Sequence, residues 1–450
     1  MSIADGCERY FPDAFVFALG AVVVVFAAGL AIGESPGRLI AAFGNGFWVL
    51  IPFTMQMALV IIGGFVVASS PPVARVIVRL AAVPKTPRGA VAFVALLAMV
   101  TSLLSWGLSL IFTGLLVREV TRRMPRLDYR AVGAASYVGL GSVWALGLSS
   151  SAALLQASPA SIPESLLKLT GVIPLAQTIF LWQSILMAAV LIVLSVAIAY
   201  YSCPHPDRAR SAAEMGIRFE PLVSEQDDDS TSGHRLDRSP ILPLCVALLM
   251  AAYLAMRVAE RGFLAAVDLE TFNMAFLAAG MALHWRPRSF LRAVSRSVPA
   301  TTGVLIQFPF YAGIFGLIAR TGLASGLEQL FLKATTKETF PLVVAAYSAI
   351  LGLFIPSGGG KWVIEAPYVM SVANDWQAHL GWTVQIYNAA EALPNLVNPF
   401  WMLPLMGILN VRARDLAGYS VLQLLFHIPV VLLLSWLFAG TLAYVPPVIP

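Results

Sequence analysis

Three ionisable residues stand in otherwise apolar stretches: Lys361, Glu365 and Glu391. Lys361 closes the run Pro356-Ser357-Gly358-Gly359-Gly360-Lys361. Proline lacks a backbone donor and ends a helix. Ser357 and three glycines then give a tip of exposed amides with almost no side-chain bulk. A helix starting near Trp362 aims its positive end at that tip, and amides at a helix N-terminus hold anions. With the charge of Lys361 added, Ser357, Gly358, Gly359, Gly360 and Lys361 suit a small carboxylate. The competing reading is a tight turn whose glycines serve only close helix packing.

A second constellation is Glu391-Ala392-Leu393-Pro394-Asn395-Leu396-Val397-Asn398-Pro399. Two prolines this close should interrupt a helix. Asn395 and Asn398 fall in the gap and offer both donors and acceptors. Glu391 is either a coupling carboxylate, for a proton or sodium, or a structural hydrogen-bonding group. Glu365 lies one helical turn after Lys361, so the two can pair. Earlier in the chain, Gly147-Leu148-Ser149-Ser150-Ser151 marks a matching break, and Ser105-Trp106-Gly107 a matching tip. The hydroxyls of Ser149, Ser150 and Ser151 either complete the site or bond back to their own backbone, and Ser105 offers a further polar group at the first tip. Gln56 and Gln307 are either packing glue between helices or neighbours of the site.

Other chemistries fit poorly. A phosphate-binding loop needs glycine at position 355 and Ser or Thr at 362, where this chain has Ile355 and Trp362. His205, His234, His284, His379 and His427 are scattered and form no metal-ligand or triad spacing. Cys7, Cys203 and Cys245 form neither a disulfide framework nor a metal motif. No cofactor and no metal is expected, and no enzyme.

The elements that must position these residues follow from composition. Of 450 residues, 58% are apolar and only 12% charged. Soluble domains carry about 25% charge, so the chain reads as an all-α polytopic membrane protein. The net charge of +5 reads as loop arginine and lysine, not as a nucleic-acid surface. About 20 apolar residues span a bilayer. Spans fall near 12–33, 47–69, 130–157, 176–201, 241–259, 269–284, 299–319, 384–409 and 418–440. Segments near 89–118 and 341–372 are too long for one crossing and carry the two tips, so each reads as a re-entrant helical hairpin. A mixed-charge stretch at 203–240 reads as a flexible cytoplasmic linker between halves 1–202 and 241–450. With both hairpins returning to their own side, four arginine-bearing loops share one face. These loops lie around Arg75–Arg88, Arg118–Arg130, Arg286–Arg296 and Arg412–Arg414. That face should be cytoplasmic, with the N-terminus inside. The spacing from Gln56 to the first tip repeats from Gln307 to the second, with opposite hairpin orientation. Inverted repeats with broken helices mark secondary transporters.

These strings also carry a resemblance. Gly46-Phe47-Trp48, Met55-Gln56-Met57-Ala58-Leu59, Trp106-Gly107 and Arg118-Glu119-Val120 are followed by Gln307-Phe308-Pro309-Phe310-Tyr311-Ala312-Gly313-Ile314, Pro356-Ser357-Gly358-Gly359-Gly360, Pro399-Phe400-Trp401 and Arg414-Asp415. From about Ala14 to Phe438 the chain resembles the bacterial short-chain fatty acid transporter family, whose members take up acetoacetate, butyrate and related acids. The resemblance implies a place among anion transporters with two hairpins and inverted repeats, in the bacterial inner membrane. It allows a homodimer without indicating a contact helix. Lys361, Glu365, Pro394 and Asn398 depart from the family pattern, while Glu391 and Asn395 fit it.

Together these features predict an ion-coupled carrier of small monocarboxylates. Substrate would contact Ser105, Ser149, Ser150, Ser357, Gly358, Gly359, Gly360, Lys361, Asn395 and Asn398, with Glu391 and Glu365 coupling a proton or sodium. A passive channel for organic anions is the alternative, and a membrane-embedded enzyme a more distant one.

Overall fold

A computed structural model describes residues 14–218, 239–354 and 357–448. These residues form helices, turns and irregular connections, with no strand among them. Among the described residues, six helices are long and apolar enough to cross a membrane: Ile51–Ala68, Pro87–Leu104, Trp182–Ser202, Ile241–Arg261, Thr302–Ala319 and Ala413–Ala439. They differ in what covers them. Every residue of the Leu380–Asn395 helix is buried, whereas Ile241–Arg261 buries only Pro243 and Ala247. The broken helices and tips therefore form the centre, and apolar helices such as Ile241–Arg261 form the rim.

Both expected hairpins turn back on themselves. In the first, Pro87–Leu104 runs into Trp106–Arg123. Ser109 Oγ donates to the Ala98 carbonyl at 2.9 Å, where a continuous helix would separate the two by roughly 16 Å. In the second, Phe340–Phe354 runs towards Gly358–Asp375. The Tyr347 and Tyr368 hydroxyls meet across it at 2.9 Å. Its outer ends meet where Trp376 Nε1 donates to Thr335 Oγ1 at 3.1 Å. Pro356 lies outside the described residues.

Long-range hydrogen bonds sort the loops into two groups. Arg123 reaches the Val78 carbonyl, Tyr129 the Leu409 carbonyl, and His284 the Val66 carbonyl. The four arginine-bearing regions are thereby linked pairwise at one set of helix ends. A second group links Glu34 with Gly322, Ser158 with Leu269, Leu169 with Asn374 and Asn374 with Tyr444. The first hairpin's ends belong to the first group and the second hairpin's ends to the second.

Several expected boundaries change. The span at 130–157 is not one helix. It divides into Tyr129–Ala135, Val138–Ser142, a 3-10 turn Trp144–Leu146 and Ser151–Ala157. Gly147 causes part of this, because a Cβ there would lie 2.3 Å from the Leu103 carbonyl oxygen. In the second half Pro394 does not stop its helix, which runs to Asn395. A proline this near the C-terminus forfeits one hydrogen bond of a ladder that is ending anyway. The gap falls at 396–398, and Pro399 opens the next helix, where its missing donor costs nothing. The expected span at 176–201 is α-helical only from Trp182, after a 3-10 turn at Leu175–Gln177. The basic stretches near Arg75 and Arg288 are short helices, Pro71–Leu80 and Pro287–Ser297.

Part of the stretch read as a flexible linker is docked. The Arg210 amide donates to Asp128 Oδ2 at 2.9 Å, and Tyr129 N–H returns a bond to the Arg210 carbonyl. Ala212 and Ile217 are buried. Residues 219–238 lie outside the described residues.

Candidate substrate site at the hairpin tips

The two tips use the same device. Ser105 and Ser357 are both N-caps in extended conformation. Ser105 Oγ accepts from the Leu108 amide at 3.3 Å, and Ser357 Oγ from the Gly360 amide at 3.1 Å. A serine N-cap satisfies one of the four orphan donors of a helix start. The structural equivalent of Ser105 is thus Ser357, one residue beyond the position that the glutamine pair indicates.

The tips differ in what remains open. At the first, Ser149 Oγ accepts from the Trp106 amide at 2.7 Å. Ser149 therefore holds the opposing tip, and Ser150 caps its own helix at the Ala153 amide. Both hydroxyls have protein partners. At the second tip the Gly358 and Gly359 amides make no hydrogen bond among the described residues. The Gly358 carbonyl is held by the Tyr387 hydroxyl at 2.5 Å. Bare amides at the positive end of a buried helix are an anion seat.

Between the tips lies a cavity of about 20 Å³, lined by Ser357, Gly358, Gly359, Trp106, Trp144 and Trp401 among others. Ser151, Met57 and Phe308 complete much of the wall. The space is roughly that of one water molecule. The polar tip thus faces an aromatic and apolar lining, with Trp106 against Trp401 at 5.2 Å between centroids. Sequence reasoning passed over Trp144, Trp401 and Met57 as lining groups, while Ser151, one of the three hydroxyls at the first break, does line the cavity. The available signal was tryptophan beside both tips and both gaps, a residue normally enriched in the interfacial belts instead.

Glu391 stands behind this seat. Its Oε2 is 3.3 Å from where a Cβ on Gly358 would lie. Both carboxylate oxygens are buried and without a hydrogen-bond partner among the described residues. One turn on, the Asn395 side chain is equally buried, and neither its nitrogen nor its oxygen finds a partner among the described residues. The Asn395 carbonyl accepts from the Tyr137 hydroxyl at 2.7 Å, joining the two broken helices. Asn398 lies in the gap, its amide bonded to the Pro394 carbonyl.

Lys361 does not serve the tip. Its Nζ lies 3.1 Å from Glu365 Oε1 and 2.7 Å from the Ser348 carbonyl, over the Tyr387 ring at 4.4 Å. Ser348 Oγ donates to Glu365 Oε2 at 2.5 Å. Both charged side chains are 0% exposed. The expected tip cation is thus neutralised by the expected coupling carboxylate, because the helical spacing presents them to each other and to Ser348. Gln56 and Gln307 also have local partners, Asn273 and Tyr311.

This pair gives a direct prediction. Lys361→Met leaves Glu365 buried without its cation, and breaking a buried pair costs about 3–5 kcal/mol. Removing both charges is often nearly neutral. Thermal unfolding of purified protein should therefore show a large loss in Lys361→Met and recovery in Lys361→Met/Glu365→Met. A folded double variant with no transport at all would return Lys361 to the substrate.

Comparison with known proteins places the chain in a family. The sequence profile of the family described as short chain fatty acid transporter matches residues 2–438. A protein of Escherichia coli strain K12, named for short-chain fatty acid transport, is 35% identical over 421 residues, covering 93% of this chain and 94% of that protein. A similarly named protein of Haemophilus influenzae is 31% identical over 430 residues, covering 94% and 95%. Among solved structures, the YdaH transporter of Alcanivorax borkumensis, described as having an unusual topology, superposes with a TM-score of 0.59 at 14% identity. That match covers 95% of this chain and 98% of YdaH. MtrF of Neisseria gonorrhoeae gives 0.52 at 13% identity, covering 98% of each chain. The two structures establish likeness of fold, and the profile and relatives establish descent. The chain belongs to the short-chain fatty acid transporter family, whose members are transporters and not enzymes.

Proposed function

We propose that this protein is a secondary carrier that moves a short monocarboxylate together with a proton or sodium ion. The carboxylate sits on the Gly358 and Gly359 amides, and its short acyl tail lies against Trp106, Trp144, Trp401 and Phe308. The observation that carries this reading is the bare second tip facing an apolar cavity beside an unpartnered carboxylate. A buried charged carboxylate without partners costs several kcal/mol. Glu391 therefore calls for a proton or a cation whenever the site is closed, and Asn395 Oδ1 is a second ligand for such a cation. Glu365 is already committed to Lys361 and is left with a structural role.

A cavity of about 20 Å³ excludes a four-carbon acid. Admission requires the tips to separate, which is the behaviour of a gated carrier and not of a standing channel. Paired inverted hairpins give two such gates. The arginine-bearing ends, by the excess of basic residues, are the cytoplasmic ones. The test is uptake of labelled butyrate and acetoacetate into proteoliposomes, against a panel of two- to six-carbon acids, with sodium and pH gradients imposed separately. Saturable uptake accelerated by one gradient supports a coupled carrier. Non-saturating flux indifferent to both gradients would indicate the passive channel.

A further inference from the structure

A second cavity, of about 430 Å³, shares no lining residue with the tip cavity. It is lined by Arg130, Arg210, Arg414, Asp415, Gly418 and Tyr419. Three arginines stand against Asp415 in the lining and Asp128 behind it, which pairs with Arg130, and leave a formal excess of one positive charge. The arginines come from three elements: the Tyr129–Ala135 helix, the docked stretch after residue 205, and the first turn of Ala413–Ala439.

The nearby carboxylates are already engaged. Asp128, whose side chain is unexposed, accepts from the Ala131 amide at 2.8 Å and the Arg210 amide at 2.9 Å. It also accepts from Arg130 Nη2 at 2.9 Å and the Tyr419 hydroxyl at 3.4 Å. Asp415 accepts from the Arg412 amide at 3.0 Å. Two of the three arginines keep donors open. Arg130 Nε is buried without a partner among the described residues, and Arg210 is exposed.

The depth of the cavity is also defined. Ala413–Ala439 has 27 residues, more than the roughly 20 that cross the hydrocarbon. Its charged residues, Arg414 and Asp415, are in the first turn, and charge is costly in hydrocarbon, so this end is the one read at headgroup level. Guanidinium forks match phosphate oxygens two at a time, and basic pockets between membrane helices hold lipid headgroups.

We propose that this pocket is a binding site for a phosphate-bearing anion, supplied either by an anionic lipid headgroup or by a soluble phosphate compound. Such a ligand would clamp the start of the first broken helix to the last helix and to the docked stretch. The proposal is independent of which acid the protein carries.

The test uses the purified full-length chain in two arms. In the first, nanodiscs of phosphatidylcholine receive increasing phosphatidylglycerol, and retained lipid is counted by native mass spectrometry. In the second, inorganic pyrophosphate is titrated in detergent at constant ionic strength, and the thermal midpoint is followed. Saturable retention of phosphatidylglycerol over phosphatidylcholine identifies the headgroup as the source. Saturable stabilisation by pyrophosphate alone identifies a soluble ligand. In either case Arg210→Gln and Arg414→Gln should each weaken apparent affinity about tenfold, the scale of one charge-assisted hydrogen bond. Arg288→Gln, exposed and outside the pocket, should leave affinity unchanged. No saturable binding in either arm, or an equal loss in Arg288→Gln, overturns the proposal.

Discussion

Gly358→Ala is expected to reduce substrate uptake at least about tenfold in a protein that still folds. The methyl group would meet Trp144 Cη2 at 2.5 Å, Trp144 Cζ2 at 2.9 Å and Glu391 Oε2 at 3.3 Å. Two effects on stability oppose each other. Alanine favours helix over glycine by up to about 1 kcal/mol, and overpacking a filled core costs typically 1–3 kcal/mol. The net cost is small beside the usual stability of a domain, so the fold should persist. The seat is less tolerant. Trp144 is almost fully buried and cannot swing away freely, so the tip must yield. A shift that weakens anion binding by about 1.4 kcal/mol is already tenfold in affinity. Gly44→Ala is the matched control, because a Cβ there meets nothing within 4 Å. Uptake at wild-type rate in Gly358→Ala, with Gly44→Ala also normal, would remove the second tip from the substrate path.

Much of this arrangement is legible in the sequence because it rests on punctuation. Serine, glycine and proline write the tips and gaps directly into the chain, through helix caps and missing donors. The pairing of Lys361 with Glu365 follows from their helical spacing alone. Its consequence for the tip does not, because Ser348 and Tyr387 come from other helices and draw the ammonium away. Ser149 looked like a substrate ligand because a hydroxyl in an apolar helix is ambiguous. Its partner, the Trp106 amide, lies on an element 43 residues earlier in the chain. Residues 206–217 looked free because their composition is that of a linker. They are fixed by Asp128, whose carboxylate gathers the Arg210 and Ala131 amides into one junction. Local rules describe the chain's breaks, and long-range partners decide which groups at those breaks stay open.

Glu391→Gln is expected to abolish gradient-driven accumulation while substrate exchange across the membrane continues. The cause lies in what the native side chain lacks. Both oxygens are buried without partners among the described residues, so a permanent charge there would be uncompensated and costly. Glutamine has nearly the same shape and carries no charge in any state. It should therefore be tolerated in the closed conformation, which the uncharged form of Glu391 also suits. What it cannot do is take up a proton or ligate a cation on one side and release it on the other. A carrier that has lost that step can still swap one bound acid for another, but it cannot be driven uphill. Counterflow of labelled butyrate measures the first property, and uptake under an imposed proton or sodium gradient measures the second. In the wild type both should be present. In Glu391→Gln the gradient should lose its accelerating effect, and the accumulation ratio should fall to about unity, since no ion gradient then contributes free energy to the acid's distribution. Retained accumulation in a folded Glu391→Gln protein would move coupling to another group. Loss of counterflow together with accumulation would instead make Glu391 part of the substrate seat itself. The two assays separate these cases because Gly358, with its bare amide, and Glu391 are neighbours with different tasks: one receives the anion, and the other answers for its charge.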